Sequence, residues 1–243
     1  MINATESLKI ADALTTVAKN FSERFRVRMS DGGDSTPFTA NPENKGCSGF
    51  VCPQQIGKTA NCGTCGVLCA LTTKNVTFIG HAKAMKDTHP SIINGTTVFA
   101  NSKLTNIDPM SEKTVLKASS NAKLGKKVVR GAWKGAEFLT LTLTERETCP
   151  RHCAHWNDCY GNNMHLAKRI STVGLMDAIE RDLNNLNPAK QYVIRLHVLG
   201  DFYSVEYVEF WGRMLEKFSN IKIYGYTAHA IDNSHLVQNK KVA

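Results

Sequence analysis

Apolar residues near the amino terminus recur with helical spacing. Ile10, Leu14, Val17 and Phe21 fall at steps of four, three and four, which marks one stripe of a helix over residues 5–21. Thr5 is placed to cap that helix through its hydroxyl. The period then changes. From Arg24 to Met29 cations and apolar groups alternate, so a strand is expected with Arg24, Arg26 and Arg28 on one side. Residues 30–74 have no sustained period and are rich in Gly, Asn, Pro and Cys, which reads as a knuckle organised by metal rather than by a core. Residues 75–81, with Val76, Phe78 and Ile79, are expected as a core strand, and the weakly patterned residues 82–112 as a linker or surface loop.

The second half is more regular. Strands are expected over 138–144, 192–199 and 221–226. Between the first two, residues 161–187 read as mostly helix, with Val173, Met176, Ile179, Leu183 and Leu186 as its apolar stripe. A further helix follows Ser204 as its cap and carries Val205, Val208, Trp211, Leu215 and Phe218. Strands alternating with helices at this spacing imply βαβ units. The expected fold is therefore α/β, a partial or complete parallel (β/α) barrel with a small cysteine-rich metal knuckle. Residues 1–29 would supply a helix and strand of the core and 113–243 the main half. In such folds functional groups gather at the carboxyl ends of the strands.

Composition narrows the function classes. Of 243 residues, 42% are hydrophobic and 21% charged, so the chain can bury a sizeable core and is not a disordered tail. No apolar run approaches the ~20 residues of a membrane span, and no export signal is visible, so a cytoplasmic protein is expected. A net charge of +9 favours an anionic substrate or nucleic acid as partner. Much of that charge lies between Lys113 and Ala136, a stretch with seven cations and no acid. There Lys123, Lys126, Lys127, Arg130 and Lys134 surround Trp133, an arrangement suited to phosphate contacts beside a stacked base, and equally to a solvated basic surface.

The eight cysteines form two clusters. In a reducing compartment, clustered thiols read as metal ligands more readily than as disulfides. Cys149, Cys153 and Cys159 have the spacing C-x3-C-x5-C and directly follow a strand. Three thiolates on one short loop can hold a [4Fe–4S] cluster and leave one iron open; with His152, His155 or His165 they can instead close a zinc site. Cys52, Cys62, Cys65 and Cys69 suit a tetrahedral metal, either zinc or a second iron–sulfur cluster, with Cys47 spare or replacing Cys52. A third constellation ends a strand. Arg195 and His197 share one face, Gly200 permits close backbone approach, and Asp201 can accept hydrogen bonds from a ligand amine or ribose. The plainer reading is a satisfied core His–Arg pair and an Asp capping the next helix. Tyr226 and Thr227, at the end of the next strand, would face the same mouth.

The segments 121–126, 141–150, 159–164, 195–204 and 224–227, together with Cys52-Pro-Gln-Gln, Cys62-Gly-Thr-Cys65 and Phe78-Ile-Gly-His81, resemble the phage and plasmid "gene product eighty-eight" family. In that family the cysteine-rich knuckle and its closing strand usually come last, whereas here they come first. The resemblance therefore implies a circular permutation joined within residues 82–112. More distantly, a strand leading into clustered cysteines ending in Cys-Tyr, a strand ending in Gly-Asp and a strand ending in Thr resemble radical S-adenosylmethionine enzymes. That likeness implies Cys149, Cys153 and Cys159 as cluster ligands and Gly200-Asp201 as the turn binding the amine of S-adenosylmethionine. Here five residues precede the last cysteine where that motif has two, and one Gly precedes the acid.

The expected function is an iron–sulfur, radical-S-adenosylmethionine-like enzyme of phage type, resident in the host cytoplasm. In it Asp201 would hold the cofactor amine, and Arg195, His197 or the Arg24, Arg26 and Arg28 face would position an anionic substrate. Two other classes compete: a zinc-stabilised nucleic-acid-binding protein without catalysis, and a cluster-bearing sulfur donor or sensor.

Overall fold

The computed structural model describes residues 2–29, 84–119, 125–128 and 132–231. The expected knuckle with Cys47, Cys52, Cys62, Cys65 and Cys69, the expected strand at 75–81, and Lys123 and Arg130 lie outside the described residues. Helix α1 (Ala4–Asn20) buries Ile10, Leu14 and Val17, as its stripe requires. Its cap is Asn3, not Thr5: Asn3 Oδ1 accepts the Glu6 N–H at 2.9 Å, which places Thr5 inside the first turn. Strand β1 (Phe25–Met29) follows, with Phe25 and Val27 buried. Arg24 precedes the strand and turns away from it. Its guanidinium donates to the carbonyls of Phe218 and Leu215, at 2.8 and 2.5 Å, capping the end of a later helix.

Residues 84–112, expected as a linker or surface loop, contain the short helix α2 (Pro90–Asn94) and pack inward at Ile92 and Thr97. Strand β2 (Lys117–Ala118) leads to β3 (Glu137–Thr140). The helix expected over 161–187 is much shorter. Residues Tyr160–Asn163 form one 3-10 turn, and α3 (Leu175–Asn184) starts only after Gly174, which adopts φ 72°. Val173 is 82% exposed and takes no part in the apolar stripe. Asp182 lies on the buried face of α3 because its carboxylate accepts Thr114 Oγ1 and the Val115 and Leu116 N–H groups, at 2.6, 2.6 and 2.9 Å. Strand β4 (Tyr192–Leu196), helix α4 (Val205–Lys217, capped by Ser204) and β5 (Ile221–Thr227) complete the described chain.

The sheet order is β1-β5-β4-β3-β2. All neighbours run parallel except β2, which is antiparallel to β3. The fold is thus α/β with a five-stranded, mostly parallel sheet, and among the described residues that sheet is open, with β1 and β2 at its two ends. One face packs Phe25, Val27, Leu139, Ile194, Leu196, Ile221 and Ile223 in the same core as the stripes of α1, α3 and α4. Burying each such side chain is worth about 1.5–3 kcal/mol. The other face has a smaller cluster of Val128, Ala136, Phe138, Val193 and Tyr224, flanked by Trp133.

Candidate functional site at the carboxyl ends of the strands

The chain leaving β3 enters a buried polar scaffold before it reaches the cysteines. Glu145 and Arg169 are both fully buried, with Arg169 Nε donating to Glu145 Oε2 at 2.7 Å and Nη2 to Oε1 at 3.1 Å. Thr97 donates to the same Oε1 at 2.7 Å, which fastens the 84–112 segment to the pair. Arg169 also donates to the carbonyls of Gly161, Met164 and Ala167. Arg146, 1% exposed and at φ 67°, donates to Trp156 O, Thr96 O and Asn162 Oδ1. Two guanidiniums and one carboxylate therefore hold both ends of the 149–159 loop by charge-assisted bonds. Sequence reading passed over all three. The available signal was Glu145-Arg146-Glu147, a charged triplet directly after an apolar strand.

Cys149, Cys153 and Cys159, each half-buried, stand on that loop and form no disulfide with one another. Short turns shape it: Cys149 N–H bonds Arg146 O, Cys153 N–H bonds Pro150 O, Trp156 N–H bonds Cys153 O and Asn162 N–H bonds Cys159 O. Burial pushes the Cys149 thiol well up, and Asp201, Cys153 and Cys159 add to the effect, so these acidic groups share one neighbourhood. Burial also raises the Cys159 thiol. As a donor set, three thiols in a sheltered loop fit soft thiolate-ligated iron. Among the described residues, however, no three His, Cys, Asp or Glu side chains are drawn together into a ready metal-binding group. The histidines offered as a fourth ligand are engaged or apart. His152 Nε2 bonds Ala228 O at 3.1 Å, His155 faces Asp158, and His165 is exposed.

Asp201 lies 3% exposed beneath this loop. Its Oδ1 accepts the Phe202 N–H at 2.8 Å, its Oδ2 the Ala228 N–H at 2.7 Å, and the Thr227 hydroxyl bonds the same carboxylate. Burial nevertheless raises its pKa. Asp201 thus ties the chain after β4 to the chain after β5. Gly200 adopts φ +84°, and a Cβ there would lie 2.5 Å from Thr148 Oγ1 and 2.7 Å from Leu143 Cβ. Close approach is indeed why glycine stands there, but the approaching atoms are those of the chain leaving β3. His229, which the sequence reading also missed, adds a third tie: Ser7 Oγ bonds its Nδ1 at 2.7 Å, and its Nε2 donates to Phe202 O at 2.8 Å.

His197 is 5% exposed, bonds Tyr207 Oη through Nε2 at 3.1 Å, and stacks edge-on to Phe202. Burial lowers its pKa to about 3, so the imidazole is neutral at pH 7. Arg195 pairs in register with Tyr224 and Thr140 and keeps a buried Nε without a hydrogen-bond partner. Its charge also acts on the phenol of Tyr160, next to Cys159, a group that desolvation of its oxygen pushes up to about 12 although half the residue is exposed. Tyr226, half-buried, stands opposite Arg28 in register, and Thr227 is buried against Asp201. A cavity of about 410 Å³ opens at the same mouth, between Thr144, Thr148, Glu147 and Tyr203. The Tyr203 hydroxyl is buried there without a hydrogen-bond partner.

The basic run divides. Lys126 and Lys134 are exposed. Lys127 pairs opposite Glu137, and Lys117 binds Glu112 at 3.0 Å. Trp133 packs beneath Lys222, whose Nζ lies 5.3 Å from the ring centre. No helix among the described residues is long and apolar enough to cross a membrane. Residues 113–241, more than half of the chain, match the family model described as Gene product 88. No curated protein and no solved structure matches the chain.

Proposed function

The chain belongs to the gene product 88 family, and we propose that it is an iron–sulfur protein acting as a radical-S-adenosylmethionine-like enzyme. The observation that carries this reading is that Cys149, Cys153 and Cys159 stand on one short loop at the carboxyl ends of parallel strands, where Asp201 and the other two thiols all act on Cys149. Thiolates on that loop and the Asp201 carboxylate would repel one another if ionised together, and a bound iron centre would offset that repulsion. The three cysteines would hold the group. When bound, a cluster with one iron lacking a protein ligand supplies one-electron reduction of a sulfonium ligand.

The chain's own residues do the rest. The Glu145–Arg169 pair and Arg146 fix the loop's two ends. Asp201 spends both oxygens on the backbone, so it shapes the amine-binding turn and contributes its charge to a ligand amine. Arg195 stands beside Tyr160 to orient an anionic substrate, whereas His197 serves as a neutral wall group.

A barrel-like, permuted arrangement accompanies this reading. Strand β1 lies parallel to β5, and α1 packs in the same core as α4. That packing supports an order in which residues 113–243 once preceded residues 1–81, with the present join within residues 82–112. The reading is tested by purifying the full chain without oxygen and recording its visible spectrum. A brown protein bleached by dithionite, with the colour lost in the triple variant C149S/C153S/C159S, is expected; a colourless wild-type protein overturns it.

A further inference from the structure

The sheet face opposite the helices carries a second feature that the thiols do not explain. Alternation along β1 sends Phe25 and Val27 into the helix-covered core and Arg26 to the other side. On that side Arg26 stands opposite Tyr224 of β5, and Tyr224 opposite Arg195 of β4, so two guanidinium groups flank one tyrosine across three adjacent strands. Lys222 lies one pleat away on β5, opposite Val193. Strands spaced about 4.8 Å apart put the two arginine backbones roughly 10 Å from each other, a gap that long side chains close around a group of phosphate size.

We infer that this face is a phosphate-binding site, formed by Arg26, Lys222 and Arg195, and that it takes the phosphate group of a nucleotide. Three observations carry the assignment. Arg26 and Arg195 each keep a buried Nε without a hydrogen-bond partner, an expensive state for a charged donor. Lys222 is 3% exposed, and desolvation, with repulsion from Arg26 and Arg24 that Glu23 partly offsets, holds its ammonium down to about 8. Among the described residues, the only ion pair to any of the three is Glu23 with Arg26, at 3.6 Å, and Glu23 is itself 73% exposed. Among the described residues only Glu23 and the Trp133 ring offset the repulsion among these cations, and an anion with several acceptor oxygens relieves all three. The recessed position of Lys222 suits a compact phosphate rather than the rail of a duplex. Trp133, half-buried with Lys222 Nζ 5.3 Å over its ring, brings an aromatic surface next to the phosphate position, which favours a nucleotide over a free phosphate.

Phosphate binding here needs no metal at the thiols, although Arg195 also serves the proposed substrate mouth, so it is testable on the full chain with or without iron. Inorganic pyrophosphate, adenosine triphosphate and a single-stranded oligonucleotide are titrated separately by calorimetry into the wild type and into Arg26→Gln, Arg195→Gln and Lys126→Gln, with circular dichroism to confirm folding. Lys126 is exposed and serves as the control for general positive charge. Pyrophosphate and the nucleotide are expected to bind saturably at one site, with the nucleotide tighter. Loss of one charge-assisted partner should weaken both by about tenfold or more. Lys126→Gln should leave them unchanged, and Arg195→Lys, which keeps the charge but loses the fork, should fall between. The inference is overturned if neither small phosphate binds, if folded Arg26→Gln and Arg195→Gln bind as well as wild type, or if only the oligonucleotide binds and Lys126→Gln weakens it equally.

Discussion

Asp201 Oδ2 accepts the Ala228 backbone N–H at 2.7 Å, so the acid that follows Gly200 after β4 fixes the course of the chain after β5. Both strand ends, and through His152 the cysteine loop as well, are joined at this one place. Replacing Asp201 by Asn removes one acceptor and leaves a buried N–H facing an amide N–H. A loss of about 1–3 kcal/mol is expected. In a chain of this size that is a fall in melting temperature of roughly 2–4 °C per kcal/mol, read by thermal denaturation. An unchanged melting temperature would mean that Asp201 is not a clamp.

The Glu145–Arg169 pair is buried on both sides, and removing one partner leaves the other charged and alone. Arg169→Met is expected to cost about 3–5 kcal/mol in denaturant unfolding, and the double change Glu145→Leu with Arg169→Met less than the sum of the singles. Because the pair holds the cysteine loop, Arg169→Met should also speed alkylation of Cys149 by a small maleimide. Equal alkylation rates would separate the scaffold from the loop.

The alternation of strands and helices was legible because it depends on local periodicity: α1, α4, β4 and β5 lie close to where their apolar stripes place them. What was illegible depends on partners distant in sequence. Arg24 shares the cation–apolar rhythm of Arg26, but the carbonyls at the end of α4 claim it, and nothing local announces that. Asp182 sits on an apolar helix face only because residues 114–116 bring it three donors. Val173 keeps the helical rhythm, yet Gly174 in a left-handed conformation starts the helix after it. The three cysteines were visible through spacing, whereas Glu145, Arg146, Arg169 and His229, which support them or the neighbouring strand ends, were not, since buried charges look like surface charges in a sequence.

Two glycines permit the close approach of strand ends, and a third provides the contrast. Gly200→Ala forces a left-handed alanine, costing about 1–2 kcal/mol, and drives a methyl group against Thr148 and Leu143, costing about 1–3 kcal/mol more. Gly125 has φ +69° with nothing within 4 Å of an added Cβ, so Gly125→Ala should show only the first cost. At Gly225 a Cβ would fall on the Leu196 carbonyl, and Gly225→Ala is expected to yield no soluble folded protein. Equal stability of the Gly200 and Gly125 variants in urea would contradict this packing.

His197 sets an acid limit. Its folded pKa, about 3, lies below the ordinary value of 6.5, so its contribution to stability is complete above pH 6.5 and is lost as the pH falls toward 3. Between pH 7 and pH 5 this single group should remove about 2 kcal/mol. His197→Gln does not titrate, so the difference in stability between wild type and variant should shift by that amount over the interval. A pH-independent difference would show that His197 is hydrated.

Whether Cys149, Cys153 and Cys159 hold iron is read directly from the metal. Iron is counted per chain in anaerobically purified wild type and in Cys149→Ser, Cys153→Ser and Cys159→Ser separately, with electron paramagnetic resonance of the dithionite-reduced samples. A cluster signal is expected in the wild type that disappears, together with its iron, in each of the three variants. Wild-type protein that carries zinc and no iron, or iron that all three variants retain, would contradict it.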